Sequence, residues 1–143
     1  EYGTIASNNN QLRLPQFVPQ PGKKEQESID KIKRIMEENM FTPPGRSELM
    51  AISGMGEQDF NEVLAYMLDA GILVKVNQDN IFSAKAIEEG KKILLDYFRE
   101  EKELSLATAR DILNTTRKYA LPLIEYYDRI RFTRRVGDLR VKT

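Results

Sequence analysis

Ala120-Leu121-Pro122-Leu123-Ile124-Glu125-Tyr126-Tyr127-Asp128-Arg129-Ile130, running on through Phe132-Thr133-Arg134-Arg135-Val136, Gly137-Asp138 and Leu139-Arg140-Val141, is where two hydrophobic periods meet. Ala120, Leu123, Ile124, Tyr127 and Ile130 recur at helical spacing, and a strand, a Gly-Asp turn and a second strand follow. That order predicts a helix feeding a β wing. Immediately upstream, Leu106 to Leu113 predicts a short helix and Asn114-Thr115-Thr116 a turn. Ile87, Leu94 and Phe98 stripe a longer helix that starts at Ala84, with Gly90 a mild weakness on the same face.

The same order occurs once before. Ile29, Ile32 and Met36 mark a first helix ending near Met40, and Thr42-Pro43-Pro44-Gly45 breaks it. Ser47 to Ile52 gives a short helix and Gly54-Met55-Gly56 a turn. Phe60, Val63, Leu64, Met67 and Leu68 stripe a third helix that Gly71 stops. Ile72 to Val76, a turn at Asn77-Gln78-Asp79-Asn80 and Ile81-Phe82-Ser83 make its hairpin. Three helices and a two-stranded wing, twice, predict a mostly α, α+β fold of tandem winged-helix domains over residues 23–83 and 84–143. Ahead of them, residues 1–22 hold two short strands around Asn8-Asn9-Asn10 and a stiff Pro-rich linker. A lone hairpin does not fold by itself, so this segment is expected to be the wing of a preceding domain.

Composition narrows the chemistry. The 143 residues contain no His and no Cys, which removes most general acid–base and nucleophilic catalysis and nearly all transition-metal sites. Glu37-Glu38, Glu88-Glu89 and Glu100-Glu101 are adjacent pairs that diverge by ~100° on a helix, so they read as solvated faces. No enzyme, no metal and no cofactor are expected of this fragment. No run is long and apolar enough for a membrane span, and the start lacks the basic and apolar regions of a signal peptide. A cytoplasmic monomer is the expectation.

Net charge is zero, but it is unevenly spread. From Ser105 to Thr143 there are nine Lys/Arg against four acids, an excess of five that the rest of the chain balances. Such segregation concentrates attraction for a polyanion at one end. At an offset of 60 the fold positions of the two repeats agree: Leu64 falls on Ile124, Tyr66 on Tyr126 and Val76 on Val136. Yet Glu57 and Gln58 stand where the second repeat has Arg117 and Lys118, Met50 stands at Arg110 and Val74 at Arg134. Only Lys75 keeps the charge of Arg135. The fold does not demand these cations, so they are candidate ligands for nucleic acid.

The candidate RNA-binding residues are Thr116, Arg117, Lys118 and Tyr119 at the start of the third helix and Arg134, Arg135 and Arg140 on the wing, with Arg110 alongside. Together they are expected to form one concave grip for a bent or looped strand. Arg129 has an alternative partner in Glu125 one turn away. Tyr119 suits either a stacking platform or a partly buried anchor. Pro122 either frees the carbonyl of Lys118 inside the helix or belongs to the first turn of a helix that begins later.

Arg117-Lys118-Tyr119-Ala120-Leu121-Pro122-Leu123-Ile124-Glu125-Tyr126, Asp128-Arg129-Ile130 and Thr133-Arg134-Arg135-Val136-Gly137-Asp138 closely resemble the end of bacterial selenocysteine-specific elongation factors, the SelB family. That resemblance implies an N-terminal GTPase followed by four winged-helix domains, of which this chain holds the third and fourth and the wing of the second. It implies that the last domain binds the loop of the SECIS messenger hairpin, so that selenocysteyl-tRNA is brought to the ribosome at UGA. GTP and tRNA would bind only through domains absent here, and residues 23–83 would act as an acidic rigid spacer. The family usually has Gly where Arg131 stands, a position expected to need positive φ. A winged-helix DNA regulator and a protein-interaction module are the competing readings.

Overall fold

The computed structural model describes residues 22–143. The hairpin and linker expected ahead of them fall on residues 1–21, outside the described residues. The fold is α+β and consists of two winged helices in tandem. In the first, α1 (Lys23–Glu38), α2 (Arg46–Ser53) and α3 (Glu57–Asp69) lead into β1 (Leu73–Lys75) and β2 (Ile81–Ser83). In the second, α4 (Ala84–Phe98), β3 (Leu104–Ser105), α5 (Leu106–Ile112) and α6 (Arg117–Arg129) lead into β4 (Thr133–Val136) and β5 (Leu139–Lys142). Among the described residues no helix is long and apolar enough to cross a membrane.

The strand β3 was not expected. It pairs with β5, Leu104 opposite Arg140, so the second sheet has three strands in the order β3-β5-β4. At the offset of 60, the first repeat has Pro44 and Gly45 at these positions, and a proline has no N–H to give to a ladder. Its sheet is accordingly the β1-β2 hairpin alone. Serines start the first two helices of the second unit: Ser83 Oγ accepts from Ala86 N at 3.0 Å and Ser105 Oγ from Thr108 N at 3.1 Å.

Helix α6 stops as α3 does. The N–H of Phe132 donates to Tyr127 O (2.9 Å) and that of Arg131 to Asp128 O (3.1 Å), matched by Ile72 to Met67 O (2.9 Å) and Gly71 to Leu68 O (3.2 Å). Both are Schellman ends, closed at α6 by the Tyr127 and Phe132 rings 5.3 Å apart. The residue that must be left-handed is Gly71 (φ 76°) in one and Arg131 (φ 63°) in the other. Arg131 is therefore strained, and the helix ends at the same place as its Gly71 counterpart. Asn114 (φ 54°) serves the same purpose after α5.

Each unit has its own apolar core, and the second reaches into the first. Ile29, Ile32, Met36, Leu49, Phe60, Val63, Leu64, Met67 and Leu73 form one cluster. The other gathers Ile87, Leu94, Leu104, Ala109, Leu113, Leu123, Ile124 and Tyr127 together with Val76 and Phe82 of the first wing. Gly90 proves necessary there. A Cβ at that position would run into the Tyr127 hydroxyl and lie 3.5 Å from Phe41. The hydroxyl itself donates to Ile87 O at 2.7 Å, and burial, aided by Glu88 and then Tyr126, pushes its ionisation well above the ordinary range. The buried faces of α1 and α4 superpose with Ile32 at the place of Gly90, while Met67 stands at the place of Tyr127. One repeat uses a medium pair and the other a small–large pair to fill the same space.

Gly90→Ala should destabilise the chain by about 2–3 kcal/mol in denaturant titration, the overlap outweighing a helix-propensity gain of about 1 kcal/mol. Adding Tyr127→Met should restore more than half of that; no restoration would mean the strain lies elsewhere. Arg131→Gly should stabilise by about 1 kcal/mol, relieving a left-handed side chain, and an unchanged or lower midpoint would contradict the strain.

Candidate nucleic-acid interface

The amino end of α6 carries the first cluster. Thr116 is extended and caps the helix through its carbonyl, which accepts from Tyr119 N (3.1 Å) and Ala120 N (2.9 Å), with no side-chain cap bond. Arg117 and Lys118 are exposed and have no ion-pair partner among the described residues. Their backbone N–H groups belong to the unpaired first turn, which already carries the positive end of the helix dipole. Tyr119 is half-buried and packs against the second core, with Lys118 Nζ 5.3 Å from its ring centre. Because α6 begins at Arg117, Pro122 lies in its interior and is buried; it has no N–H to offer the Lys118 carbonyl.

On the wing, strand alternation separates the arginines. Arg135 faces Arg140 across the β4-β5 pair, and Arg134 faces Val141, so Arg134 and Arg135 point to opposite sides of the sheet. Arg134 is exposed and has no ion-pair partner among the described residues. Arg135 is folded over the turn, its Nε donating to Gly137 O at 2.8 Å and its Nη2 3.8 Å from Asp138. Arg110 is exposed in the last turn of α5 and sits 3.2 Å from Asp111.

Arg140 does not belong to the surface at all. It is 4% exposed, and its Nε donates to Asp128 Oδ2 at 3.1 Å. The other oxygen of that carboxylate accepts from Thr133 Oγ1 at 2.6 Å. Asp128 thus ties α6 to both strands of the wing, and a cation so engaged and covered is withdrawn from any ligand. Register explains the difference from a purely sequential reading: Arg140 shares the inward face with buried Thr133 and Leu104. Arg129 does not take up the alternative pairing with Glu125. It lies 5.8 Å from the Tyr126 ring centre and donates through Nη2 to Val76 O in the first wing. Thr115 Oγ1 donates to Phe41 O at 2.5 Å, so both ends of α6 are tied to the preceding unit. Neither tie has a local sequence signal, since the acceptors are backbone carbonyls 74 and 53 residues away.

Among the described residues no three His, Cys, Asp or Glu side chains gather as a metal site would require. What the surface offers is fixed positive charge, unpaired N–H groups and a β wing, a chemistry of anion contact.

The family model described as "Elongation factor SelB, winged helix" matches residues 96–141, the span that holds α6 and its wing. That stretch of the chain is therefore similar to a SelB winged helix. It is 28% identical over 98 residues to a selenocysteine-specific elongation factor of Desulfomicrobium baculatum, covering 68% of this chain and 16% of the relative. It is also 28% identical over 138 residues to that of Escherichia coli K12, covering 96% of this chain and 22% of the relative. The chain thus spans about a fifth of the length of these relatives. Among solved structures, the mRNA-binding domain of E. coli SelB in complex with SECIS RNA matches with a TM-score of 0.69 and 27% identity, covering 84% of this chain and 97% of that one. A bacterial selenocysteine-specific elongation factor has the same fold over 84% of this chain and 19% of its own, with a TM-score of 0.69 and 22% identity.

Asp128→Asn should lower stability by about 2–3 kcal/mol, because it leaves the covered Arg140 guanidinium without its counter-charge. Amide exchange should quicken in β4 and β5 before it does in α1–α3. Uniform exchange across the chain would show that the carboxylate does not hold the wing.

Proposed function

We propose that this chain is the message-binding part of a selenocysteine-specific elongation factor, and that its second winged helix holds the loop of a SECIS-type RNA hairpin. The observation that carries this is the replacement of acid by base on one scaffold. Helix α3 opens with Glu57 and Asp59, which suit the positive end of a helix, whereas α6 opens with Arg117 and Lys118, which do not. Cations placed against the local dipole cost stability and are repaid when phosphate binds. The likeness to a domain solved with SECIS RNA, at 27% identity and nearly its full length, supports the same reading.

In this reading Thr116, Arg117 and Lys118 contact the backbone of the loop from α6, Arg134 does so from the wing, and Arg135 and Arg110 are recruited by exchanging their aspartate partners for phosphate. Tyr119 braces the helix from its half-buried site. Stem base edges lie hidden in the deep groove of A-form RNA, so sequence is legible only in unpaired nucleotides. Residues 23–83 act as an acidic spacer that keeps the RNA-bound unit at a fixed distance from the rest of the factor. The chain performs no catalysis, needs no cofactor and acts as a cytoplasmic monomer. GTP, selenocysteyl-tRNA and the ribosome are met through the remainder of the factor.

Anisotropy titration of this chain with a labelled RNA hairpin, a loop-scrambled version and a DNA duplex tests the proposal. Only the intact hairpin should bind tightly at moderate salt; preference for duplex, or no nucleic-acid binding, would overturn it. Arg117→Ala and Arg134→Ala should each weaken binding by about 1–3 kcal/mol and flatten the salt slope by roughly 0.7–0.9 per charge. Glu57→Ala should leave both unchanged.

A further inference from the structure

The two wings are divided by the same strand alternation but meet different surroundings. In the first, Leu73 and Ile81 face the core of their own unit, while Val74, Val76 and Phe82 face the other way and pack into the second unit. In the second, Thr133 and Arg140 face inward, and Arg134, Val136, Leu139 and Val141 share the opposite side. The contrast at one position is sharp: Val76 is 1% exposed and Val136, its counterpart at the offset of 60, is 45% exposed. A face that one repeat covers with protein lies open in the other.

We propose that this outer face of the second wing is a contact surface for the RNA loop, in which Val136 packs on an unstacked base or its ribose while Arg134 holds the neighbouring phosphate. The inference rests on the RNA-binding reading above and adds a residue that charge alone would never nominate. The choice of RNA over a further protein unit comes from charge. Where Val74 meets an apolar neighbour, the second wing presents Arg134, a cation with no ion-pair partner among the described residues. Against an apolar protein surface an unpaired guanidinium loses hydration without return, whereas a phosphate restores it. An unpaired base would cover the part of Val136 that the wing leaves exposed, since every base has a π-face. A β-branched side chain loses little rotamer freedom on contact, which suits it to this place.

The test uses the whole chain and a labelled hairpin, with Val136→Ser, Val136→Ile, Arg117→Ala and the unaltered protein compared side by side. Val136→Ser should weaken binding about fivefold through lost apolar contact. Its salt slope should stay that of the unaltered chain, since no charge is removed. Val136→Ile should bind as well as the unaltered chain, and labelled methyl groups of Val136 should shift on adding hairpin while those of Val76 stay put. If Arg117→Ala weakens binding but Val136→Ser does not and the Val136 methyls are unmoved, this inference falls and the RNA-binding reading stands. If the unaltered chain binds no hairpin, both fall. Self-association abolished by Val136→Ser with hairpin affinity unchanged would assign the face to protein and likewise overturn the inference. Thermal melts guard against unfolding, and the methyl shifts in the unaltered chain decide the matter even if the serine variant is unstable.

Discussion

Asp128 accepts from Thr133 on one strand of the second wing and from Arg140 on the other, so a single carboxylate in the last turns of α6 fixes the angle between helix and sheet. Everything the surface presents depends on that angle, because one cluster of cations sits on the helix and another on the wing. At the offset of 60 Leu68 and Leu73 stand for Asp128 and Thr133, and by strand register Ile81, opposite Lys75, stands for Arg140, opposite Arg135; this apolar trio joins the first core. A buried ion pair rarely exceeds such packing in stability, because removing two charges from water is costly. What it adds is direction: two hydrogen bonds from fixed donors define an orientation that apolar contact leaves softer. The ionic version occurs in the unit proposed to grip RNA, and the apolar version in the unit proposed to space it.

The repeats also diverge where they touch each other. The small–large pair of Gly90 and Tyr127 opens room for Phe41, whose carbonyl in turn accepts from Thr115 just ahead of α6. At the far end of the same helix, Arg129 reaches the carbonyl of Val76. Helix α6 is therefore braced by the preceding unit at both ends, and the first wing lies between two cores with each of its faces covered. A surface built on α6 inherits its orientation from the first unit as well as from its own. Such bracing is a physical reason for the pair to occur together.

Much of this was legible in the sequence, and what was not has a common cause. The helical stripes, the turns at Asn114 and Gly137 and the two hairpins follow from local periodicity, which acts within a few residues and is read directly. The strand at Leu104-Ser105 is too short to have a period, and it exists only because β5 lies beside it. Arg140 looked like its neighbours because nothing local marks which side of a strand faces in; register with Arg135 and Leu104 decides it. Gly90 read as a weakness because its reason, Tyr127, is 37 residues distant. Arg129 chose a carbonyl in the other unit over a carboxylate one turn away. Each miss concerns a partner supplied by tertiary contact, which a pattern along the chain does not carry.

Charge counting has the same limitation. Nine cations lie between Ser105 and Thr143, but the fold commits several of them. Arg140 is spent on Asp128 and Arg129 on Val76, while Arg135 and Arg110 sit beside Asp138 and Asp111. Arg117, Lys118, Arg131, Arg134 and Lys142 are left without ion-pair partners among the described residues. The electrostatic footprint is thus smaller than the sequence suggests, and its members owe their positions to other residues. Thr116 opens the helix that carries Arg117 and Lys118, and Asp128 sets the wing that carries Arg134. Since exposed pairs such as Arg135 with Asp138 are worth little in water, an incoming phosphate can take those cations over at small cost. The covered pair of Arg140 with Asp128 is not open to such exchange, and for that reason it can serve as the fixed point around which the rest of the surface is laid out.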